Sequence, residues 1–309
     1  MLNASPKPQS SLSLQATTPI RAVSLCRRLG RVVMCCSILA ASPCHGATPY
    51  FDTELSYLYE DNFAHAARAS EVLDDDVMRA RASANWLRPT GAKGGLLASL
   101  AGEYQRYAHW QALSRALLSG QVSYRYKPSA EFNAPWLEAS VNGALRQFQH
   151  SAMRDGGRIG FEAATGSALT DRINLRFGYR FAIDRSWHGR VFDSEVHRVY
   201  GNVDWRIERV TYYATLAWQR GDVVSSAAPN VELNVAARAR DSDSALSDGR
   251  HSRIAYRLDT DTLSATLGFN VALPAHLALD VSALYFDADS AIGAHYRGYR
   301  VTAGVLYRF

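Results

Sequence analysis

Cysteine is missing from most of this chain. The 309-residue sequence has four cysteines, and all of them lie in its first 47 residues: Cys26, Cys35, Cys36 and Cys44. A protein that crosses an oxidising compartment unfolded would form wrong disulfides, so a thiol-free remainder fits an exported protein. The same absence excludes thiolate metal sites and cysteine nucleophiles from residues 48–309.

Acidic residues are absent from residues 1–47, which carry five cations: Lys7, Arg21, Arg27, Arg28 and Arg31. The whole sequence has 34 Lys and Arg residues and 29 Asp and Glu residues, so the remainder of the chain is electrically neutral. The basic isoelectric point therefore belongs to the amino-terminal segment. It gives no reason to expect nucleic acid as a partner.

The amino-terminal segment has the layout of a secretory signal. Arg27, Arg28 and Arg31 precede a short apolar stretch, residues 32–41, which is too short to span a bilayer. We predict a signal peptide over residues 1–47, of which residues 1–20 are interpreted as an over-long start. Residues 48–309 would then form the mature protein.

Long apolar runs are also missing. Residues 48–309 contain no apolar run of roughly eighteen residues, which is the length that a membrane-spanning helix needs. What recurs instead is two-residue alternation in segments of about ten residues, which is typical of transmembrane β-barrels. Twelve such segments predict strands at 50–59, 77–87, 95–105, 115–126, 136–147, 157–165, 172–182, 196–207, 210–220, 262–271, 276–286 and 297–309. The predicted fold is all-β: a single transmembrane antiparallel barrel of about twelve strands.

The last predicted strand alternates clearly and ends on an aromatic residue. One face carries the apolar and aromatic set Tyr299, Val301, Ala303, Val305, Tyr307 and Phe309. This segment resembles the carboxy-terminal assembly signal of Gram-negative outer-membrane β-barrels. The resemblance implies insertion by the barrel assembly machinery, outer-membrane lipid as surroundings, and an assembly role for Tyr299, Val301, Val305, Tyr307 and Phe309. It identifies no subfamily, and it says nothing about monomers or trimers.

Connections and aromatic residues extend this prediction. If the first strand begins and the last strand ends on the periplasmic side, short periplasmic turns should alternate with longer outer loops. Outward-facing aromatics should form two girdles at the membrane interfaces. We place one at the periplasmic ends (Phe51, Trp86, Tyr124, Tyr126, Trp205, Tyr212, Phe269, Tyr307, Phe309) and one at the outer ends (Tyr57, Tyr59, Tyr104, Tyr179, Phe181, Trp218, Tyr285, Tyr299).

The opposite face of the strands would line the lumen, and it is charged. Ten arginines and six acids fall there: Glu54, Arg79, Arg81, Glu103, Arg125, Glu138, Arg146, Arg158, Glu162, Arg176, Arg180, Arg198, Asp204, Arg206, Asp280 and Arg300. Two interpretations are open. Opposite charges can pair and brace the barrel, for example through Glu103, Glu138 or Asp204, or the charges can line a water-filled pore that selects solutes.

The arginine excess favours a narrow channel for small or anionic solutes. In architecture the chain resembles the twelve-stranded oligosaccharide-specific channels, which use arginine tracks for acidic sugars. Two alternatives stay open: a non-conducting structural or assembly component, and a lipid-directed hydrolase. The hydrolase is disfavoured, because only His197, beside Glu195, lies in the outer part of a predicted strand. We therefore expect no enzyme.

Two polar segments complete the sequence picture. Residues 221–261 are too long for an ordinary connection, and could fold inward as a constriction, stand outside as a recognition loop, or be a mobile polar loop. The adjacent acids Asp74, Asp75 and Asp76 could bind a hard cation, but such runs are more often simply solvated. We predict no metal site and no cofactor.

Overall fold

The computed structural model describes residues 48–247, 252–291 and 293–309. The predicted signal peptide, residues 1–47, lies outside the described residues. Thirteen strands are formed by the described residues: β1 Thr48–Glu60, β2 Asp75–Pro89, β3 Gly94–Tyr107, β4 Arg115–Tyr126, β5 Trp136–Phe148, β6 Gly156–Ala168, β7 Ile173–Ser186, β8 Ser194–Ile207, β9 Val210–Ala227, β10 Ala239–Ser242, β11 Ile254–Ala272, β12 Leu277–Ser290 and β13 His295–Arg308.

Twelve of these strands close into one antiparallel barrel. Each pairs with its neighbours along the chain, and the ring closes where Asp52 of β1 lies opposite Arg308 of β13. β9 pairs directly with β11, and the short β10 adds to the outer part of β11, where Ala239 lies opposite Arg257. The predicted fold class is confirmed, with one extra strand. Within the described ranges, no helix is long and apolar enough to cross a membrane.

The outward face of the barrel is apolar and exposed. Leu216 is 59% exposed and Leu267 is 66% exposed, although both lie in the middle of long strands. Such a continuous surface would be costly in water and is suited to a lipid environment. Aromatic side chains lie near both ends of this surface, and several touch across strands. Trp205 and Tyr212 are 6.0 Å apart at one end, and Tyr59 and Tyr299 are 5.8 Å apart at the other.

Two clusters of buried apolar residues lie at the outer end of the barrel. One cluster joins Leu58, Val77 and Tyr107 of β1–β3 to Leu113, Ala64, Ala245 and Leu246 of the outer connections. A second cluster joins inward-facing Tyr256, Leu258, Ala288 and Tyr296 to Leu233 of helix α1, Val231–Ala236. A barrel that was merely a ring of strands would have no such core. The outer connections therefore fold into the barrel.

The predicted alternation of short and long connections needs correction at two places. The turn between β4 and β5, residues 127–135, is longer than the other periplasmic turns, and the last outer connection, residues 291–294, is short. The second difference arises because β12 and β13 pair beyond their predicted ends, to Ser290 and His295. The long first outer loop, residues 61–74, agrees with the prediction.

The sequence pattern suggested that residues 221–261 form one long connection, but both ends of this segment belong to strands. β9 continues to Ala227 and β11 already begins at Ile254, so these two strands rise beyond the predicted barrel wall. Gly221 makes the continuation possible. Its φ is +143°, and a Cβ there would lie 2.1 Å from the carbonyl oxygen of Glu195. What remains is a long outer loop, 228–253, that contains α1 and β10.

Candidate functional site: the charged lumen

The lumen holds two chambers. The outer chamber has a volume of 480 Å³ and is lined by the outer ends of the strands and by both long outer loops. The inner chamber has a volume of 550 Å³ and lies against the β3–β9 wall, between mid-barrel and the periplasmic end. Both are within the size range of small-molecule sites.

The outer chamber is ringed by ion pairs between strands. Arg146 of β5 contacts Asp184 of β7 at 2.5 Å, and Arg158 of β6 lies 3.9 Å from the same carboxylate. On the other side Arg300 of β13 contacts Glu60 of β1 at 2.5 Å. Most charges of this chamber thus have a partner, which lowers the cost of holding them inside the membrane.

The first outer loop crosses the outer chamber from β1 to β9. Asn62 begins this crossing with φ +51°, and its side-chain amide donates to the carbonyl oxygens of Ala66 and Arg297 at 3.0 and 2.8 Å. On the far side Ser225 donates its hydroxyl to the carbonyl oxygen of His65 at 2.7 Å. The loop is therefore fixed at both ends and lies over the chamber.

His65 is the half-buried side chain at the centre of this crossing. Its ring lies 5.4 Å from the ring of Phe286 on β12. Burial lowers the pKa of His65, because the cationic form would lose its hydration; the Val224 carbonyl and the Glu60 carboxylate oppose this effect in part, and Arg300 adds to it. The neutral ring is thus the form that suits the folded loop.

The long outer loop lies over the same chamber and is held there by an ion pair. Arg154, in the connection between β5 and β6, donates from its two terminal nitrogens to both carboxylate oxygens of Asp243 at 2.8 and 2.7 Å. The guanidinium also lies 4.4 Å from the ring of Phe192, and the Asp243 side chain is 1% exposed. Leu246, a few residues on, packs in the first apolar cluster. Of the alternatives for this segment, the structure shows inward folding. We call the two loops together the roof.

The inner chamber carries a denser charge network. Glu138 of β5 accepts from Arg125 at 2.6 Å and from Arg176 at 3.1 Å. Glu162 of β6 accepts from Arg176 at 2.7 Å and from Arg180 at 2.5 Å. Arginines on β4 and β7 thus share two carboxylates, and this network runs along the wall from the periplasmic end to mid-barrel.

Other predicted lumenal charges lie outside the lining of the inner chamber. Arg79 pairs with Glu54 and donates to the Ser56 hydroxyl at 2.9 Å, and Arg81 lies 3.6 Å from Glu103. Asp280 accepts from the Tyr213 hydroxyl at 3.0 Å. Asp204 has no ion pair with an arginine in the described part of the chain. Of the carboxylates that were expected as partners, Glu103 pairs with Arg81 and Glu138 pairs with Arg176. Arg79 pairs with Glu54 instead.

Several residues of the lumen were not singled out by the sequence. Trp136 lies under the guanidinium of Arg125 at 4.4 Å, and Tyr200 donates its hydroxyl to Glu162 at 2.5 Å. The alternating pattern places both on the inward face, but nothing in it indicates a charged neighbour. His65 and Asp243 lie in loops, where no periodic signal exists.

The acidic run and His197 have structural partners. Asp75 accepts from the backbone N–H groups of His109 and Trp110 at 3.0 and 2.8 Å, which joins two outer connections. The ring of His197 contacts the Tyr179 hydroxyl at 2.7 Å and lies 3.8 Å from Glu195. Among the described residues no serine hydroxyl contacts this ring.

The predicted assembly residues lie on the outward face of β13. Tyr299, Val301, Val305 and Phe309 are exposed and Tyr307 is half-buried. The Phe309 N–H donates to the carbonyl oxygen of Phe51 at 2.9 Å, which continues the closing pair β1–β13. Their role in assembly stays a prediction.

Known structures share this fold. An outer membrane channel of Pseudomonas putida F1 superposes with a TM-score of 0.52 at 9% identity, over 87% of this chain and all of that chain. The outer membrane channel DcaP of Acinetobacter baumannii has a TM-score of 0.43 at 11% identity, over 87% and 99% of the two chains. The translocator domain of the autotransporter NalP from Neisseria meningitidis has a TM-score of 0.40 at 12% identity, over 93% and 97%.

This chain has the fold of the Gram-negative outer-membrane β-barrels. No protein-family model matches it, and neither does any curated protein. At these identities the similar structures establish the fold. What the barrel does has to be argued from its lumen.

Proposed function

We propose that this barrel is a narrow channel for small hydrophilic solutes, with a preference for anions. The observation that carries the proposal is the inner chamber, a space of 550 Å³ against a wall of arginines and carboxylates. A barrel that served only as a scaffold could fill the same space with apolar side chains, which would cost less than charges do. The similar barrel of Pseudomonas putida F1, which is described as an outer membrane channel, is in keeping with this proposal.

The preference for anions rests on the balance of charge in the inner chamber. Its lining has four guanidinium groups and two carboxylates: Arg125, Arg176, Arg180, Arg198, Glu138 and Glu162. Between protein walls of low dielectric constant, a net positive lining raises the local concentration of anions and lowers that of cations. Selectivity by charge needs no tight binding.

Conductance in a planar lipid bilayer tests this function. Purified, refolded protein should give single-channel steps in KCl. In a KCl gradient, the sign of the reversal potential should indicate that the channel is more permeable to chloride than to potassium. A cation-selective reversal potential would contradict the anion preference.

A second candidate function is favoured by the roof. Both long outer loops lie over the outer chamber, and the Arg154–Asp243 pair holds one of them down. A barrel whose roof never opens would be a structural component of the outer membrane. Asp243→Asn separates the two functions. A channel should conduct more when the pair is weakened, whereas a scaffold should stay silent in both forms.

A further inference from the structure

Two arginines lie directly opposite each other on the wall of the inner chamber. Arg180 of β7 and Arg198 of β8 are register partners, and both side chains face the lumen. Like charges in directly opposite positions of an antiparallel pair destabilise the sheet. The position therefore needs an explanation, since a polar uncharged residue on either strand would avoid the repulsion.

Neither nearby carboxylate forms an ion pair with Arg198. One oxygen of Glu162 accepts from Arg176 and Tyr200, and the other accepts from Arg180. Glu138 is engaged by Arg125 and Arg176. In the described part of the chain, Arg198 makes neither an ion pair nor a hydrogen bond, although its side chain is only partly exposed.

Tyr200 is part of the reason why Arg198 has no carboxylate partner. The ring of Tyr200 packs against Gly178 of β7, where an added Cβ would lie 2.5 Å from it. Its hydroxyl reaches Glu162 at 2.5 Å and takes the place that a second strand-β8 donor would need. Close by, the Nε atom of Arg176 is buried without a hydrogen-bond partner.

We propose that Arg198, with Arg180, forms a binding site for an oxyanion of a small solute in the inner chamber. Guanidinium groups present forked N–H donors that match carboxylate and phosphate oxygens, and two of them facing one space can share one anion. The bound anion would also cancel the repulsion across β7 and β8. This site deepens the proposed channel function and rests on it, because the solute has to reach the lumen.

Equilibrium binding to the folded, detergent-solubilised barrel tests the site by itself. Malonate and inorganic phosphate are titrated in an isothermal calorimeter, with malonamide as the uncharged control of the same size. The wild-type barrel should bind one or both anions and not malonamide. A response to malonate alone assigns a carboxylate site, and a response to phosphate alone assigns a phosphate site.

Two variants locate the binding. Arg198→Gln should weaken anion binding by about tenfold or more, because it removes a charged donor. Arg206→Gln is the matched control, since Arg206 lies on the same strand and face but outside the chamber lining, and it should change binding less than twofold. Arg198→Lys, which keeps the charge without the fork, should fall between them. Folding of each variant is checked by heat-modifiable migration.

Equal binding by the Arg198→Gln and Arg206→Gln proteins would overturn the site, and so would a wild-type barrel that binds neither anion. Failure of the channel function looks different. A barrel that binds malonate or phosphate through Arg198 but gives no conductance would keep the site and reject the channel.

Discussion

The two chambers of the lumen differ in how their charges are satisfied. In the outer chamber Arg146 pairs with Asp184 and Arg300 with Glu60, and the roof loops lie above them. In the inner chamber three arginines share two carboxylates, and a fourth, Arg198, has no such partner among the described residues. The outer charges thus hold strands and loops together. The inner charges include an arginine without such a partner, and the proposed anion site rests on it.

Glu162→Gln should have the largest effect. The change leaves Arg176 and Arg180 without their shared carboxylate beside an already unpartnered Arg198, so we expect a loss of about 3–5 kcal/mol in the free energy of unfolding. Urea titration of the protein refolded into lipid vesicles measures it. Asp204→Asn, which breaks no arginine pair, is the control. A similar loss in both would mean that the network does not brace the wall.

Asp243→Asn should act on the roof and not on the barrel wall. It leaves the guanidinium of Arg154 buried without its carboxylate, which should cost about 1–3 kcal/mol of loop docking. The expected result is more frequent or larger single-channel openings, with an unchanged urea midpoint of the barrel. Asp241→Asn, an exposed acid of the same loop, should leave the openings unchanged. Openings that do not respond to Asp243→Asn would separate the roof from any gating role.

Acid should weaken the roof through His65. The pKa of this ring is lowered in the folded loop, so the undocked loop binds the proton more strongly. Docking is therefore fully favourable above the ordinary pKa of about 6.5 and weakens as the pH falls below it, by up to about 1.4 kcal/mol per pH unit. The charged groups that face the ring are Glu60 on β1 and Arg300 on β13; β9 and β12 present Val224 and Phe286.

Openings at pH 5 should therefore exceed those at pH 7.5. His65→Asn is the matched variant, because asparagine tolerates the positive φ of this position and does not titrate. It should remove most of the pH response. A response that persists in this variant would exclude His65 as its source.

Arg198→Gln should have the smallest effect on stability, and one of opposite sign. Removing the like-charge contact with Arg180 should raise the free energy of unfolding by about 0.2–1 kcal/mol in the absence of anions. Added malonate should reduce the difference in the free energy of unfolding between the variant and the wild type, because only the wild-type barrel is stabilised by a bound anion. Urea midpoints with and without malonate measure this. Destabilisation by Arg198→Gln would show that Arg198 braces the wall as the other arginines do.

The period-two pattern by itself determined the strands, their faces and the closed barrel. All twelve predicted segments are barrel strands, and inward charges and outward aromatics follow the predicted parity, because successive side chains of a strand point to opposite faces. Val281 and Asp280 illustrate this parity, since Asp280 contacts Tyr213 in the lumen and Val281 lies opposite Phe269 on the outward face.

Which charges meet was decided only by the tertiary structure. Arg146 reaches Asp184 and Arg176 reaches Glu138 across an intervening strand, so these pairs depend on the register of three strands and on the curvature of the wall. The contacts of the roof cannot be predicted from the period-two pattern at all. These contacts, such as Arg154 with Asp243 or Ser225 with His65, join segments far apart in the chain that have no periodicity of their own. The sequence by itself therefore predicted a barrel with charges on the inward faces of its strands, and the closed sheet decided which of those charges pair with one another.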